Sequence, residues 1–260
     1  MPLSQANHQV SPPVIDIPRA YNAAADLLGR HAHHLDKAAY IDAATGKSLT
    51  YGALNEQSHR FAQGLLSLGL LPEQRVLLCM HDGLQWPVAF LGCLLAGVVP
   101  VAVNTLLTSQ DYLYMLQDSR ARALLVSDAL WPVFAPVVEA LPDLAHIVSD
   151  EGRASANGLS VASLVAHHSP LPSAAPTLAD DVCFWLYSSG STGSPKGTVH
   201  LHSHLIQTGE LYGRGVLGLR EDDVVFSAAK LFFAYGLGNA LTFPLTVGAT
   251  TVLLGARPTP

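Results

Sequence analysis

Charged residues are scarce in this chain of 260 residues. They make up 13% of the sequence, whereas hydrophobic residues make up 49%, and the mean hydropathy is +0.29. Such a composition excludes bulk disorder, which goes with low hydrophobicity and high charge. The 14 basic residues are outnumbered by 20 acidic ones, a net charge of −6. No basic field therefore draws the chain to nucleic acid or to an acidic membrane.

Cysteine is also rare. The three cysteines, Cys79, Cys93 and Cys183, form no C-x-x-C pair. An odd number without that spacing excludes a disulfide framework and a zinc ribbon, and it favours a reducing compartment. Residues 1–13 lack the basic start and apolar stretch of a secretory signal. We therefore expect a cytoplasmic protein.

One long run without charge needs an explanation. Residues 86–103 hold no charged side chain over 18 positions, the length at which a membrane span becomes a candidate. Pro87 can open a helix, Gly97 can close it, and Pro100 interrupts the valine-rich end of the run. The pattern therefore predicts a buried helix followed by a buried strand instead of a span.

Helical and strand patterns alternate along the chain. An amphipathic helix is predicted after the N-cap residue Thr50, with Gly69 as its stop, and Thr108 with Asp111 predicts a capping box at another helix start. Further helices are predicted from Pro87, over 130–141 and from about residue 203. The predicted strands are 75–79, 98–103, 123–127, 145–149, 182–187, 224–227 and 249–254. This alternation predicts an α/β fold with mostly parallel sheets covered by helices on both faces.

A Pro-, Ser- and Ala-rich stretch over 167–181 is typical of a connector. We place the domain division there. Residues 1–170 are expected to form a first α/β subdomain, and residues 171–260 the start of a second one.

The most distinctive motif is YSSGSTGSPKG at 187–197, directly after an apolar strand. Its glycines let the backbone approach an anion, its hydroxyls and N–H groups can donate to phosphate oxygens, and Lys196 adds a positive charge. No acidic residue occurs between residues 182 and 209. The motif predicts polyphosphate binding. A flexible Ser/Gly linker is the alternative, but a linker does not need Pro195 and Lys196 beside the strand end.

Spacing excludes three other enzyme classes. A Walker loop would need Gly at Pro195 and Ser or Thr at Gly197, which disfavours a kinase-type P-loop. The G-x-G-x-x-G match at 213–218 follows a helical stretch, and no acidic residue occurs after Asp223 to hold a ribose. No G-x-S-x-G elbow is present near Ser188, so a serine hydrolase has no support.

Two groups of histidines are noted. Alternate histidines over 200–204 would share one face of a strand and could bind a transition metal, although no Cys or carboxylate lies nearby in sequence to complete the site. His31, His33 and His34 are expected at a helix end, where positive charge is favourable without any function.

The phosphate motif resembles that of the adenylate-forming superfamily of acyl-CoA ligases, aryl-CoA ligases and luciferases, whose loop is rich in Ser, Thr and Gly and ends in Pro-Lys-Gly. The resemblance extends to LTYGAL at 49–54, GVVPVAVNT at 97–105 and KLFFAYGLGN at 230–239. The last of these, together with residues 76–79 and 118–123, is most similar to the benzoate–CoA ligases of that superfamily.

The resemblance implies a two-step reaction. A carboxylate attacks the α-phosphate of MgATP, pyrophosphate leaves, and the thiol of coenzyme A then attacks the acyl-adenylate. ATP, Mg²⁺ and coenzyme A are thus implied as co-substrates, with an aryl carboxylate as the acid. The Thr192 hydroxyl is the implied partner of Mg²⁺. The implied phosphate-binding residues are Ser188, Ser189, Gly190, Ser191, Thr192, Gly193 and Lys196.

The resemblance also implies an acyl pocket at Phe233, Ala234, Tyr235 and Gly236, where a small residue beside aromatic ones makes a flat slot for a benzoyl ring. These aromatics could equally be core residues. No acidic residue occurs over 224–260 to pair with a substrate amine, which argues against an amino acid as substrate. Another acyl acid, or a non-catalytic scaffold, remains the alternative.

Length is the departure from the superfamily. Its members continue through further nucleotide contacts and a mobile C-terminal domain that carries the adenylation lysine. We therefore expect an N-terminal part that is inactive alone, and we leave its oligomeric state open.

Overall fold

The computed structural model describes residues 1–154, 157–188 and 195–257. Its strands are β1 (Gln5–Asn7), β2 (Val14–Asp16), β3 (Ala38–Asp42), β4 (Ser48–Thr50), β5 (Arg75–Cys79), β6 (Val99–Ala102), β7 (Ala123–Val126), β8 (His146–Ser149), β9 (Val182–Ser188), β10 (Lys196–Leu201), β11 (Val224–Phe226) and β12 (Thr250–Leu253). Its α-helices are α1 (Ala23–Gly29), α2 (Tyr51–Ser67), α3 (Gln85–Leu95), α4 (Ser109–Ser119), α5 (Trp131–Val138), α6 (Val161–His167), α7 (His202–Thr208), α8 (Ala234–Leu237) and α9 (Phe243–Val247).

The larger sheet has six strands in the order β10-β9-β6-β5-β7-β8. Strands β9, β6, β5, β7 and β8 run parallel, and β10 is antiparallel to β9. All the residues of β6 and β7 are buried. Their sequences are apolar throughout because both faces of this sheet are covered.

Side chains of the larger sheet alternate between two apolar cores. Val76 and Leu78 of β5 join the core formed with α2 and α3, whereas Leu77 and Cys79 join the core on the opposite face, beneath α4 and α5. Helical layers thus cover both faces, and the predicted α/β class is confirmed. The three cysteines are buried and free.

The smaller sheet has four strands in the order β11-β12-β3-β4. Strands β11, β12 and β3 are parallel, and β4 is antiparallel to β3. Strand β3 therefore pairs with β12 in the smaller sheet, and β9 pairs with β6 in the larger sheet. Each of these two pairs joins a strand from before residue 170 to a strand from after it. The expected domain division at residue 170 stays a prediction.

The segment 86–103 forms the predicted buried helix and strand. Every residue from Trp86 to Val103 is buried in α3, β6 and the turn between them. The positive φ of Gly97 lies in that turn. Within the described residues, no helix is both long enough and apolar enough to cross a membrane.

Helix caps also form as predicted. Thr50 accepts a hydrogen bond from the Ala53 N–H at the start of α2, and Thr108 forms a capping box with Asp111 at α4. The sequence patterns missed α1, β1–β4, α6, β10 and α8–α9. A π-helical stretch, 209–214, continues α7, and a second one, 238–242, joins α8 to α9.

Candidate functional site

The parallel strands of the larger sheet end at one edge, where ligands bind in open α/β sheets. Val101 and Ala102 of β6 pair with Trp185 and Leu186 of β9, so β6 and β9 both end at this edge. The buried residues of β9 keep it in the sheet, and its last residue, Ser188, is exposed.

The hairpin of β9 and β10 brackets the predicted phosphate loop. Ser188 and Lys196 are cross-strand partners, and both are exposed. The other predicted phosphate residues lie outside the described residues, as does Thr192, the predicted Mg²⁺ partner. The two described ends of the motif therefore lie opposite each other where β9 ends and β10 begins, a point called the hairpin mouth below. The predicted phosphate-binding residues that lie outside the described ranges are Ser189, Gly190, Ser191, Thr192 and Gly193.

One hydrogen bond and one glycine position the hairpin of β9 and β10 on the sheet. The Tyr187 hydroxyl donates to the Asp118 carboxylate at 2.6 Å, which holds the end of β9 against α4. A Cβ atom at Gly197 would lie 3.0 Å from the ring of Trp185. The glycine of the Pro-Lys-Gly sequence thus leaves room for the indole that packs over β10.

The predicted acyl-pocket segment forms the start of a helix. Phe233 is the N-cap of α8 and is 48% exposed, and Tyr235 is 71% exposed. Gly236 is buried, and a Cβ atom there would lie 2.0 Å from the Lys230 carbonyl oxygen. Only glycine lets the helix approach this backbone so closely.

Phe233 and Ala234 line two different cavities. Ala234 borders a small cavity of about 140 Å³ together with Phe184, His200 and Leu237. The Phe184 and His200 rings stack with centroids 4.5 Å apart and planes 1° apart. The wall of this cavity is therefore flat and aromatic. Tyr235 and Gly236 line neither cavity.

The second cavity has a volume of about 320 Å³ and lies at the carboxyl ends of β5, β6, β11 and β12. Its lining combines apolar rings with polar and charged side chains, a mixture typical of small-molecule sites. The lining residues include His81, Asp82, Asn104, Lys230, Phe233 and Arg257.

Asp82 is the buried carboxyl group of this cavity. It accepts a hydrogen bond from the Leu231 N–H at 3.2 Å. Burial raises the pKa of Asp82 to about 6, although the Leu231 hydrogen bond and the Lys230 charge lower it in part. The Lys230 ammonium donates to the Leu254 carbonyl and, at 2.7 Å, to the Ala256 carbonyl, which ties the cavity wall to the segment after β12. The sequence patterns missed Asp82. Its position three residues after a buried strand is the signal that could have found it.

The alternate histidines do not share a strand face, so the disfavoured metal-site alternative lacks the geometry that it required. His200 lies in β10, whereas His202 and His204 begin α7. The His202 Nδ1 accepts from the Ala23 N–H at 3.1 Å, and the His204 Nδ1 accepts from the Leu201 N–H at 3.2 Å. Burial lowers the pKa of His202 to about 4, with a smaller opposing effect from Asp181. His202 is thus a neutral structural group.

Comparison with known proteins identifies the family. The sequence profile described as "AMP-binding enzyme" matches residues 29–260. The chain belongs to the AMP-binding enzyme family. The predicted resemblance to adenylate-forming enzymes is thereby confirmed.

Relatives within the AMP-binding enzyme family include aryl–CoA ligases. The chain is 56% identical to benzoate–CoA ligase of Thauera aromatica over 99% of its own length and 49% of that protein. A benzoate CoA ligase from Burkholderia xenovorans LB400 superposes with a TM-score of 0.84 at 48% identity, covering 92% of this chain and 46% of that one. The anthranilate CoA ligase AuaEII, in complex with anthranoyl-AMP, superposes with a TM-score of 0.85 at 34% identity, covering 92% and 45%. The chain spans about half the length of these AMP-binding enzymes.

Proposed function

We propose that this chain forms the nucleotide- and acid-binding part of an ATP-dependent aryl–CoA ligase. The reaction joins benzoate or a close analogue to AMP with loss of pyrophosphate, and the acyl group then passes to coenzyme A. The observation that carries the proposal is the 56% identity to a benzoate–CoA ligase along 99% of the chain, together with the phosphate motif at the edge of the sheet.

The hairpin mouth is the proposed triphosphate site. Ser188 and Lys196 face each other there, and the motif between them supplies further hydroxyl and N–H donors. We assign these donors, with the Lys196 ammonium, to the phosphate oxygens of MgATP, where they would stabilise the charge that moves onto the leaving pyrophosphate. Mg²⁺ prefers oxygen ligands, and the Thr192 hydroxyl is the proposed protein ligand.

The acid is proposed to bind beside the segment Phe233–Gly236. The Ala234 side chain is small enough to leave space against the Phe184–His200 wall, and a flat apolar space suits an aromatic ring. The larger cavity, which the same segment borders through Phe233, opens toward positively charged Lys230 and Arg257. Its chemistry suits the anionic or polar part of a substrate.

The first test is nucleotide binding by the chain itself. Titration calorimetry with MgATP should give binding that weakens at least about tenfold in Lys196→Ala, since a charge-assisted hydrogen bond is worth about 1.5–3 kcal/mol. Lys47→Ala is the matched control, because Lys47 is exposed in the turn between β3 and β4. Equal affinity in all three proteins would remove Lys196 from the site, and no binding at all would favour the scaffold alternative.

The second test identifies the acid. This chain, joined to the part of the Thauera aromatica enzyme that the alignment leaves uncovered, should catalyse ATP–pyrophosphate exchange that depends on benzoate. Parallel assays with 2-aminobenzoate and with an aliphatic acid compare the competing acids. Preference for the aliphatic acid would contradict the aryl assignment.

We also propose a cytoplasmic location. It is supported by the buried, unpaired state of Cys79, Cys93 and Cys183, which fits a reducing compartment.

A further inference from the structure

Two histidines singled out in the sequence have no part in the proposed reaction. His33 and His34 lie between α1 and β3, and their ring centroids are 4.1 Å apart. The Nε2 atom of His34 lies 2.7 Å from Oε1 of Glu221, in the segment before β11. Residues far apart in sequence therefore meet at one point on the surface.

His33, His34 and Glu221 each offer one ligand atom, and these atoms all lie within 4.8 Å of one another. In the part of the chain that the structure describes, this is the one group of three or more His, Cys, Asp or Glu side chains with such spacing. Two imidazoles and one carboxylate are an established ligand set for zinc, with water in the fourth position. Ligand atoms of a tetrahedral zinc site lie about 3.3 Å apart, since each is about 2.0–2.1 Å from the metal. Small rotations of these surface side chains would reach that geometry.

Neighbouring cations limit the affinity. The Lys37 ammonium is 4.0 Å from the Glu221 carboxylate, although it also donates to the Gly248 carbonyl at 2.6 Å. Arg30, Arg214 and Arg220 border the adjacent cavity. Two of these arginines already contact the buried Glu210 carboxylate, Arg30 at 3.1 Å and Arg214 at 3.0 Å. Their charge is partly neutralised, and the Glu221 side chain is 46% exposed.

The position in the fold suggests a structural role for the metal. The segment with His33 and His34 leads into β3, and the segment with Glu221 leads into β11. These strands lie on either side of β12 in the smaller sheet. An ion held by both segments would tie together the entries to two strands that are not neighbours. It would raise stability by mass action, because an unfolded chain does not keep the three ligands together.

We propose that His33, His34 and Glu221 bind one divalent transition-metal ion, with Zn²⁺ the best match to the ligand set. The proposal is independent of the ligase assignment.

The test uses the metal-free chain and Zn²⁺ in competition with a chromophoric chelator. The wild-type chain should bind one equivalent of Zn²⁺. Affinity should fall at least tenfold in each of His33→Ala, His34→Gln and Glu221→Gln. His167→Ala is the matched control, because His167 is an exposed histidine on α6 whose ring contacts the Ser163 carbonyl of its own helix. This control should bind like the wild type.

Thermal unfolding gives a second readout. Zn²⁺ should raise the midpoint of the wild type and of His167→Ala but not that of the three ligand variants, and all five proteins should melt alike without metal. Binding of less than one equivalent by the wild type would overturn the proposal. So would ligand variants that bind Zn²⁺ as tightly as the wild type.

Discussion

At the scale of single residues, Asp82 is the most perturbed carboxyl group of the candidate site. It lies three residues after β5 and is 7% exposed. Burial raises its pKa from 3.8 to about 6. At neutral pH it therefore carries a charge that the folded state accommodates less well than water does.

Asp82→Asn should stabilise the chain in a pH-dependent manner. Between pH 4 and 6, Asp82 is protonated in the folded state but has lost its proton in the unfolded chain. The stability that the protonated carboxyl group contributes is therefore present below about pH 4 and is lost as the pH rises through about 6. Asparagine keeps an oxygen for the Leu231 N–H but carries no charge. Urea unfolding should find the variant more stable by about 2–3 kcal/mol at pH 7.5 and close to the wild type at pH 4. A difference that does not change with pH would contradict the raised pKa.

The sequence predicts phosphate-binding residues where a local motif marks them, and their role stays a prediction. Lys196 and Ser188 were predicted from a Ser/Gly-rich run, and they lie opposite each other in the hairpin. Asp82 was missed because the Leu231 N–H that donates to its carboxylate lies 149 positions later in the sequence. The contact between His34 and Glu221 was missed for the same reason.

At the scale of elements, helix α8 depends on one glycine. A Cβ atom at Gly236 would lie 2.0 Å from the Lys230 carbonyl oxygen and 2.7 Å from that of Ala229. Both contacts are with backbone, which cannot rotate away. The close approach fixes Phe233 and Ala234 between the two cavities.

Gly236→Ala should therefore destabilise the chain, even though alanine favours helices. The overlap should cost about 1–3 kcal/mol, and the shift of α8 should also weaken binding of the aryl acid. The matched control is Gly83→Ala, because a Cβ atom at Gly83 meets nothing within 4 Å. Urea unfolding compares the three proteins. If Gly236→Ala is as stable as the control, the close contact does not exist in solution.

Short elements escaped prediction for identifiable reasons. The sequence of α8 contains Gly236 and is followed by Gly238, so it reads as a loop, and its helical form comes from tertiary packing. Strand β10 has no buried residue and is held by pairing with β9. Long periodic elements such as α2 were predicted because their own pattern requires burial of one face.

At the scale of the whole molecule, the class was predictable but the sheet order was not. Alternating apolar runs predicted an α/β fold. The pairing of β3 with β12 joins residues more than 200 positions apart, and no local pattern encodes such a contact. Residues 38–42 and 250–253 are thereby built into one sheet.

Buried charges make the same long-range connection. Asp26 of α1 and Glu210 of the 209–214 helical stretch are 2% and 4% exposed. The Arg30 guanidinium lies between them, 3.0 Å from Asp26 and 3.1 Å from Glu210. Arg30 is thus the shared cation of two buried carboxylates that lie 184 positions apart in sequence.

Arg30→Met should destabilise the whole molecule by about 3–5 kcal/mol, because it leaves buried carboxylates without their shared partner. Arg30→Lys keeps the charge but loses the two-pronged geometry, and its loss of stability should be smaller. Arg122→Met is the control: its partner Asp143 is 3.7 Å away and 69% exposed, and such surface pairs contribute about 0–1 kcal/mol. Urea unfolding followed by circular dichroism measures all three variants. If Arg30→Met costs no more than Arg122→Met, then the buried network of Asp26, Arg30 and Glu210 does not stabilise the fold.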